Sequence, residues 1–364
     1  MEEYNFKRNN FDLIRLVAAL QVAIEHGYVH LKLEKGRWLI DIISLFPGVP
    51  IFFVVSGFLI AASYERSNSM LKYAQNRVLR IYPALWVCFV LSLATVFALY
   101  PMHASLLDFS AWTTAQLTIG QFYNPDFMRG YGVGVLNGSL WTIPVELQFY
   151  LVLPLIYFAL RLVKWHVGFI ALSMVVLVGI NQAYVRFGVG SEVLLLKLFG
   201  VTVMPYLYMF MLGVLLQRNQ DFVANHLANK AVFWLLLFLF VSASSAALGF
   251  QHKGNYINPV AAVALALMTI SLAYTRTRTF SSALAGYDIS YGVYIYHMVV
   301  LNALIHLDVH SREVQFVLMI ALTVLAAAAS WRLVEKPALA RKRYSLQKPV
   351  QAGPTYATSS TPPA

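Results

Sequence analysis

The chain predicts an all-α polytopic membrane protein of about ten transmembrane helices in a single bundle, with the second helix broken. Three observations carry that prediction. Hydrophobic residues make up 59% of the 364 positions and charged ones only 12%, with a mean hydropathy of +0.64, far from the roughly one-quarter charged residues of soluble domains. Ten apolar stretches can be drawn, each long enough for a hydrocarbon core that takes about 20 helical residues. No Gly/Ser-rich or charged linker divides them, and no repeat of fixed period is visible.

In order, the stretches are 11–29, 38–62, 81–100, 139–161, 167–187, 193–217, 231–249, 257–274, 287–306 and 314–334. The first lacks a small-residue cleavage pattern and carries Arg15, so a cleaved signal peptide is not expected. Pro47, Gly48, Pro50 and Gly57 interrupt the second, which predicts a broken or re-entrant helix. Residues 1–345 read as one membrane domain and 346–364, rich in Ser, Thr, Pro and Ala, as a disordered tail. With the N-terminus inside, 17 of the 27 Lys and Arg fall on the cytoplasmic side and 7 on the other, which places both termini in the cytoplasm. The net charge of +11 is then explained by topology and anionic lipid, and it gives no support to nucleic-acid binding. Cys88, the single cysteine, excludes an internal disulfide and a cysteine-cluster metal site, and reads as a core residue. No metal is expected.

Polar residues inside these apolar stretches mark candidate chemistry, because a charge in mid-membrane costs roughly 2.5–3.5 kcal/mol on insertion scales. Arg15 and His26 lie eleven positions apart, about three helical turns, and so share one face some 16 Å apart. Asp12 is the simplest charge partner of Arg15. Arg77 and Arg80, three apart at the entrance to the third span, present paired guanidinium forks suited to phosphate oxygens. Glu146 follows Pro144 in the fourth span, where a kink would free the Leu140 carbonyl. Its two readings are an inter-helix hydrogen bond or a site role. Tyr287, Tyr291, Tyr294 and His297 form a stripe on the ninth span that either packs or lines an acceptor pocket through His297. The loop 101–138, with Trp112, Tyr123 and Tyr131, suits a carbohydrate-like ligand or a packed lid.

These segments together resemble the acyltransferase-3 family of integral membrane O-acyltransferases, from the first span to WRLVEKPA at 331–338. The order of the motifs makes the resemblance specific. Arg15 with His26, FPGVPIFFVVSGFLIA at 46–61, Arg77 with Arg80, SLWTIPVELQFYLVLPL at 139–155, ISYGVYIYHMVV at 289–300 and VEKP at 334–337 follow one another as the family's landmarks do. The resemblance implies transfer of acetyl from cytoplasmic acetyl-CoA to a sugar hydroxyl of a glycan or lipid-linked saccharide, at a bacterial inner membrane. By the same resemblance His26 is the general base, Glu146 its catalytic companion that either orients the imidazole or holds a sugar hydroxyl, Arg15, Arg77 and Arg80 the CoA contacts, and Trp141 with His297 the acceptor contacts. Ser56 is read as a helix-packing neighbour of Gly57 rather than a covalent carrier. The rival class is a transporter or flippase of a glycan precursor, which would also show intramembrane Arg, His and Glu.

Overall fold

A computed structural model describes residues 6, 8–67, 69–162, 166–280, 284, 286–308 and 310–341. The tail expected to be disordered, 346–364, lies outside them. The described residues are helical with no strand, and helix occupies all ten apolar stretches. Six helical segments are long and apolar enough to cross a bilayer: Arg37–Glu65, Met70–Leu99, Gly138–Leu162, Val167–Phe187, Ser290–Leu307 and Arg312–Ala340. Gln220–Leu227 and Ala231–Ala247, bent by 90°, make a seventh if taken as one span.

The principal helices are α1 (Phe11–His30), α2 (Arg37–Ile43), α3 (Gly48–Glu65), α4 (Met70–Leu99), α5 (Leu106–Leu117), α6 (Thr142–Leu162), α7 (His166–Phe187), α8 (Leu194–Phe199), α9 (Leu207–Arg218), α10 (Ala231–Ala247), α11 (Pro259–Ala273), α12 (Ser290–Leu307) and α13 (Arg312–Ser330). The starts of α1, α4 and α12 and the ends of α3 and α11 meet at one end, here called proximal. There the Asn10 amide donates to the Ala273 carbonyl, and Phe11 meets Phe58 with ring centroids 5.2 Å apart. The ends of α1, α4 and α12 and the starts of α3, α6 and α13 form the distal end.

The second stretch breaks as expected, but only between α2 and α3. From Gly48 the helix runs unbroken through Pro50 and Gly57 to Glu65. Pro50 falls in the first turn, where its missing N–H has no helical partner to lose. The break is held by α1: the Gly48 amide donates to Gln21 Oε1 at 2.8 Å, Gln21 Nε2 donates to Glu25 at 2.9 Å, and Ser44 Oγ donates to the same carboxylate at 3.0 Å. A second break was not foreseen. The stretch 193–217 divides into α8, a 3₁₀ turn at Met204–Tyr206 and α9, so α9 starts immediately after a proline-containing turn, as α3 does after Pro47.

α3 and α9 pack together through two glycines. A Cβ on Gly57 would fall 2.0 Å from the Phe210 carbonyl oxygen, and one on Gly213 would fall 2.0 Å from that of Val54. This reciprocal approach explains Gly57 as a packing residue. The kink expected at Pro144 is also relocated. Gly138–Trp141 is a 3₁₀ turn and α6 begins at Thr142, which again puts the proline in a first turn. In the loop 101–138, Trp112 and Tyr131 are fully buried with Phe89, Val96, Met128 and Leu136, so those two rings serve packing. We predict that Gly57→Ala or Gly213→Ala overpacks the α3–α9 contact and costs about 1–3 kcal/mol, read as a lowered melting temperature in detergent.

Candidate active site

Arg15 and Arg80 converge on a residue that the sequence reading did not single out. Nη2 of Arg15 and Nη2 of Arg80 lie 2.6 and 2.5 Å from Oδ2 of Asp288, and Ser290 Oγ donates to Oδ1 at 2.5 Å. Asp288 is 5% exposed. Its backbone position explains the local structure: it sits two residues before α12 and also takes the Ser290 amide, in the manner of a helix-capping aspartate. The signal available in sequence was the Asp-x-Ser run at the start of the ninth span. Asp12 is 2.6 Å from Arg15 as well, so the arginine is shared between two carboxylates.

The expected Arg77–Arg80 fork does not form. Arg77 Nη2 donates to Ser63 Oγ at 3.1 Å and its guanidinium lies over the Tyr150 ring, 5.6 Å from the centroid. Arg80 turns to Asp288 instead, because an ionised carboxylate within a buried layer outcompetes a hydroxyl for a guanidinium. Among the described residues, Nε of Arg15 and Nε of Arg77 are buried donors with no partner.

A central cavity of about 80 Å³ lies above the arginines, lined by Arg15, Ser56, Arg80, Glu146, Tyr291 and Tyr294 among others. Glu146 accepts from Tyr150 Oη at 2.7 Å and from Ser56 Oγ at 3.2 Å. Both bonds fall on Oε1, and no described residue donates to Oε2. Ser56 is therefore bonded to Glu146 and has no contact with a histidine. Glu146 does not touch His26, so it does not orient that imidazole.

The orienting group is His297. His26 Nδ1 lies 2.9 Å from His297 Nε2, and His297 Nδ1 lies 3.2 Å from the Val293 carbonyl oxygen. A carbonyl oxygen can only accept, so His297 Nδ1 carries hydrogen and, in the neutral ring, Nε2 is an acceptor. His26 Nδ1 must then donate, which leaves the lone pair on His26 Nε2. No described residue bonds that nitrogen, and His26 is only partly buried. His297, by contrast, is fully buried with both nitrogens engaged, which corrects its reading as an acceptor contact. Tyr294, one helical turn before it, lies 6.1 Å away ring to ring and shares a 2.8 Å hydrogen bond with Thr142 Oγ1. Trp141 stands at the distal end of α6, 5.3 Å from the Tyr206 ring. Cys88 is buried, with Sγ 3.3 Å from the Ile295 carbonyl oxygen.

Two buried guanidinium groups, a carboxylate with an open oxygen and an imidazole of defined tautomer suit group transfer to a hydroxyl. The model of a family described as an acyltransferase domain matches residues 8–332. The chain belongs to the acyltransferase-3 family. The acyltransferase is 33% identical to Nodulation protein 10 of Rhizobium leguminosarum bv. viciae over 348 residues, covering 91% of this chain and 93% of that protein. It is 28% identical to an O-acetyl transferase of Shigella phage Sf6 over 356 residues, covering 92% and 97%. It is also 24% identical to the peptidoglycan O-acetyltransferase OatA of Listeria monocytogenes, a match that covers 90% of this chain and 55% of that protein. No solved structure matches it. The acyltransferase is thus a multi-pass membrane enzyme. Removing the shared carboxylate by Asp288→Asn leaves Arg80 without a counter-charge and Arg15 with Asp12 alone, and should destabilise it by about 3–5 kcal/mol. Loss of a cooperative melt in detergent, relative to the native protein, is the expected readout.

Proposed function

We propose that the enzyme transfers acetyl from acetyl-CoA to a sugar hydroxyl of a cell-surface or exported glycan, with His26 as general base. The single observation that carries this reading is the relay Val293–His297–His26, which presents a basic Nε2 at the distal end. The acceptor hydroxyl donates to that nitrogen. As its oxygen attacks the thioester carbonyl, the proton moves to His26 and the imidazolium is supported by His297 through Nδ1. Collapse of the tetrahedral adduct forms the ester and expels the thiolate, which takes the proton from His26 and leaves as free thiol.

Arg15, Arg77 and Arg80 are the groups for the donor's phosphates. The partnerless Nε atoms of Arg15 and Arg77 support this assignment, since each offers one more N–H to an oxyanion. Asp12 and Asp288 together balance the charges of Arg15 and Arg80, so Arg77, which pairs with no described carboxylate, contributes the larger share of the attraction. At about 80 Å³ the central cavity is well below the roughly 300–1,000 Å³ of whole-ligand sites. It suits the acyl thioester end of the donor, with Glu146 Oε2 accepting from a donor N–H or O–H. The excess of Lys and Arg on one side favours cytoplasmic termini, and a bacterial inner membrane would then present Nε2 of His26 to a glycan on the far face.

His26→Ala should lower the rate of thiol release from acetyl-CoA in the presence of acceptor by about 10²–10⁴. His297→Ala should lower kcat more than it raises KM and should displace the pH–rate profile, an effect that a purely structural role would not produce. Full activity in His26→Ala protein would remove His26 from the reaction. Acetylated glycan in reconstituted vesicles, detected by proton NMR, checks both the donor and the acceptor class.

A further inference from the structure

A second concavity, of about 340 Å³, opens at the distal end beside Trp141, which does not line the central cavity. It is bounded by Trp141, Tyr184, Tyr206, Tyr256, Glu192 and Lys197. The four aromatic residues come from the 3₁₀ turn before α6, from α7, from the turn before α9 and from the loop before α11, and their rings converge. Trp141 is 5.3 Å from Tyr206, Tyr206 is 5.9 Å from Tyr256 with the planes 28° apart, and Tyr184 is 6.0 Å from Tyr256.

Their arrangement is set by hydrogen bonds and by missing side chains. Tyr206, fully buried, donates to the Gly200 carbonyl at 3.0 Å. Tyr256 must therefore donate to Tyr206 across their 3.0 Å contact, which leaves the Tyr256 oxygen an acceptor. A Cβ on Gly188 would fall 2.2 Å from the Tyr184 ring, and one on Gly200 would fall 1.9 Å from its hydroxyl. Only glycine at these two positions lets the tyrosine lie against the loop. On the rim, Lys197 Nζ sits 2.5 Å from Glu192, and this hydrogen bond and the ammonium charge hold the Glu192 carboxyl below its usual range.

The chemistry selects one class of ligand. A pyranose ring offers a face of C–H bonds to an aromatic plane and a rim of hydroxyls to a carboxylate, an ammonium group and a phenol oxygen. A phosphate or carboxylate ligand would want excess positive charge, but the Glu192–Lys197 pair is neutral overall. A hydrocarbon chain would leave that pair unused. An aromatic belt at a bilayer surface would turn its rings outward to lipid, whereas Tyr206 is buried here.

We propose that this pocket is a saccharide subsite that holds a sugar of the acceptor glycan other than the one acylated. The proposal rests on the acyl-transfer reading only for the word acceptor. The subsite and the base share one support: Trp141 precedes Thr142, which bonds Tyr294, whose ring neighbours His297. Because His26 is not among its lining residues, the pocket selects oligosaccharides over single sugars and acts on KM.

The test is retention of detergent-purified full-length protein on an array of bacterial oligosaccharides and their constituent monosaccharides, followed by thiol release from acetyl-CoA with each retained glycan. Native protein should retain oligosaccharides. Trp141→Ala and Glu192→Gln should each weaken retention about tenfold, the scale of losing one good contact, while His26→Ala retains as the native protein does. Glu192 is exposed, so its variant leaves the core intact. No retention by native protein, or equal retention by Trp141→Ala and Glu192→Gln, overturns the subsite. Retention that depends on Trp141 and Glu192 without thiol release supports the subsite and overturns acyl transfer.

Discussion

The buried ion cluster of Arg15, Asp288 and Arg80 is the constraint on which the rest of the arrangement depends. It ties α1, α4 and the start of α12 at the proximal end through one carboxylate oxygen. Asp288 is buried and the two guanidinium groups are largely withdrawn from water, with 19% and 16% side-chain exposure, and the desolvation is offset only while all three groups stay together. The two helices that carry the chemistry, α1 and α12, run parallel from this point. Arg15 and His26 are eleven residues apart on one, and Asp288 and His297 nine apart along the other, so a second rung forms where His26 meets His297. The ion cluster therefore fixes the rotation of α1 about its axis, and with it the imidazole that faces the partner histidine.

The two rungs divide the work along the membrane normal. At the proximal rung, guanidinium N–H groups that Asp288 leaves unused remain for an anionic donor. At the distal rung, a chain of one carbonyl and two imidazoles decides where a proton can go. The small central cavity has Arg15, Arg80 and Glu146 in its wall. α3 forms part of that wall through Val49, Phe52, Phe53 and Ser56, while Gly57 and Gly213 let its other side approach α9.

The second break, before α9, has a consequence for the acceptor side. Splitting 193–217 into α8 and α9 bends the chain at Gly200–Pro205 and brings Tyr206 under Tyr256 and Trp141. A continuous helix through this stretch would have carried Tyr206 away from the loop that bears Glu192. Two helix starts with proline in or just before the first turn, α3 and α9, thus shape the central cavity and the distal pocket respectively.

Sequence alone determined the helical membrane architecture, because the hydrophobic effect and the need to satisfy backbone groups in lipid act on each stretch separately. It also marked polar residues as candidates, since Arg15, His26, Arg80 and Glu146 stand out against apolar neighbours. It pointed to a break near Pro47, but not to the one near Pro205, where Lys197 and an apolar run of helical length masked it. Tertiary structure alone decided the pairings. Asp288, inside the stretch 287–306, is not singled out by the sequence, and its role emerges only because α1 and α4 deliver two guanidinium groups to it. His297 changed from an acceptor contact to the partner of His26, because a histidine's role depends on which groups face its two nitrogens. The distal pocket draws on positions from 141 to 256 that share no period, and only the packing of helices from different parts of the chain brings such residues together.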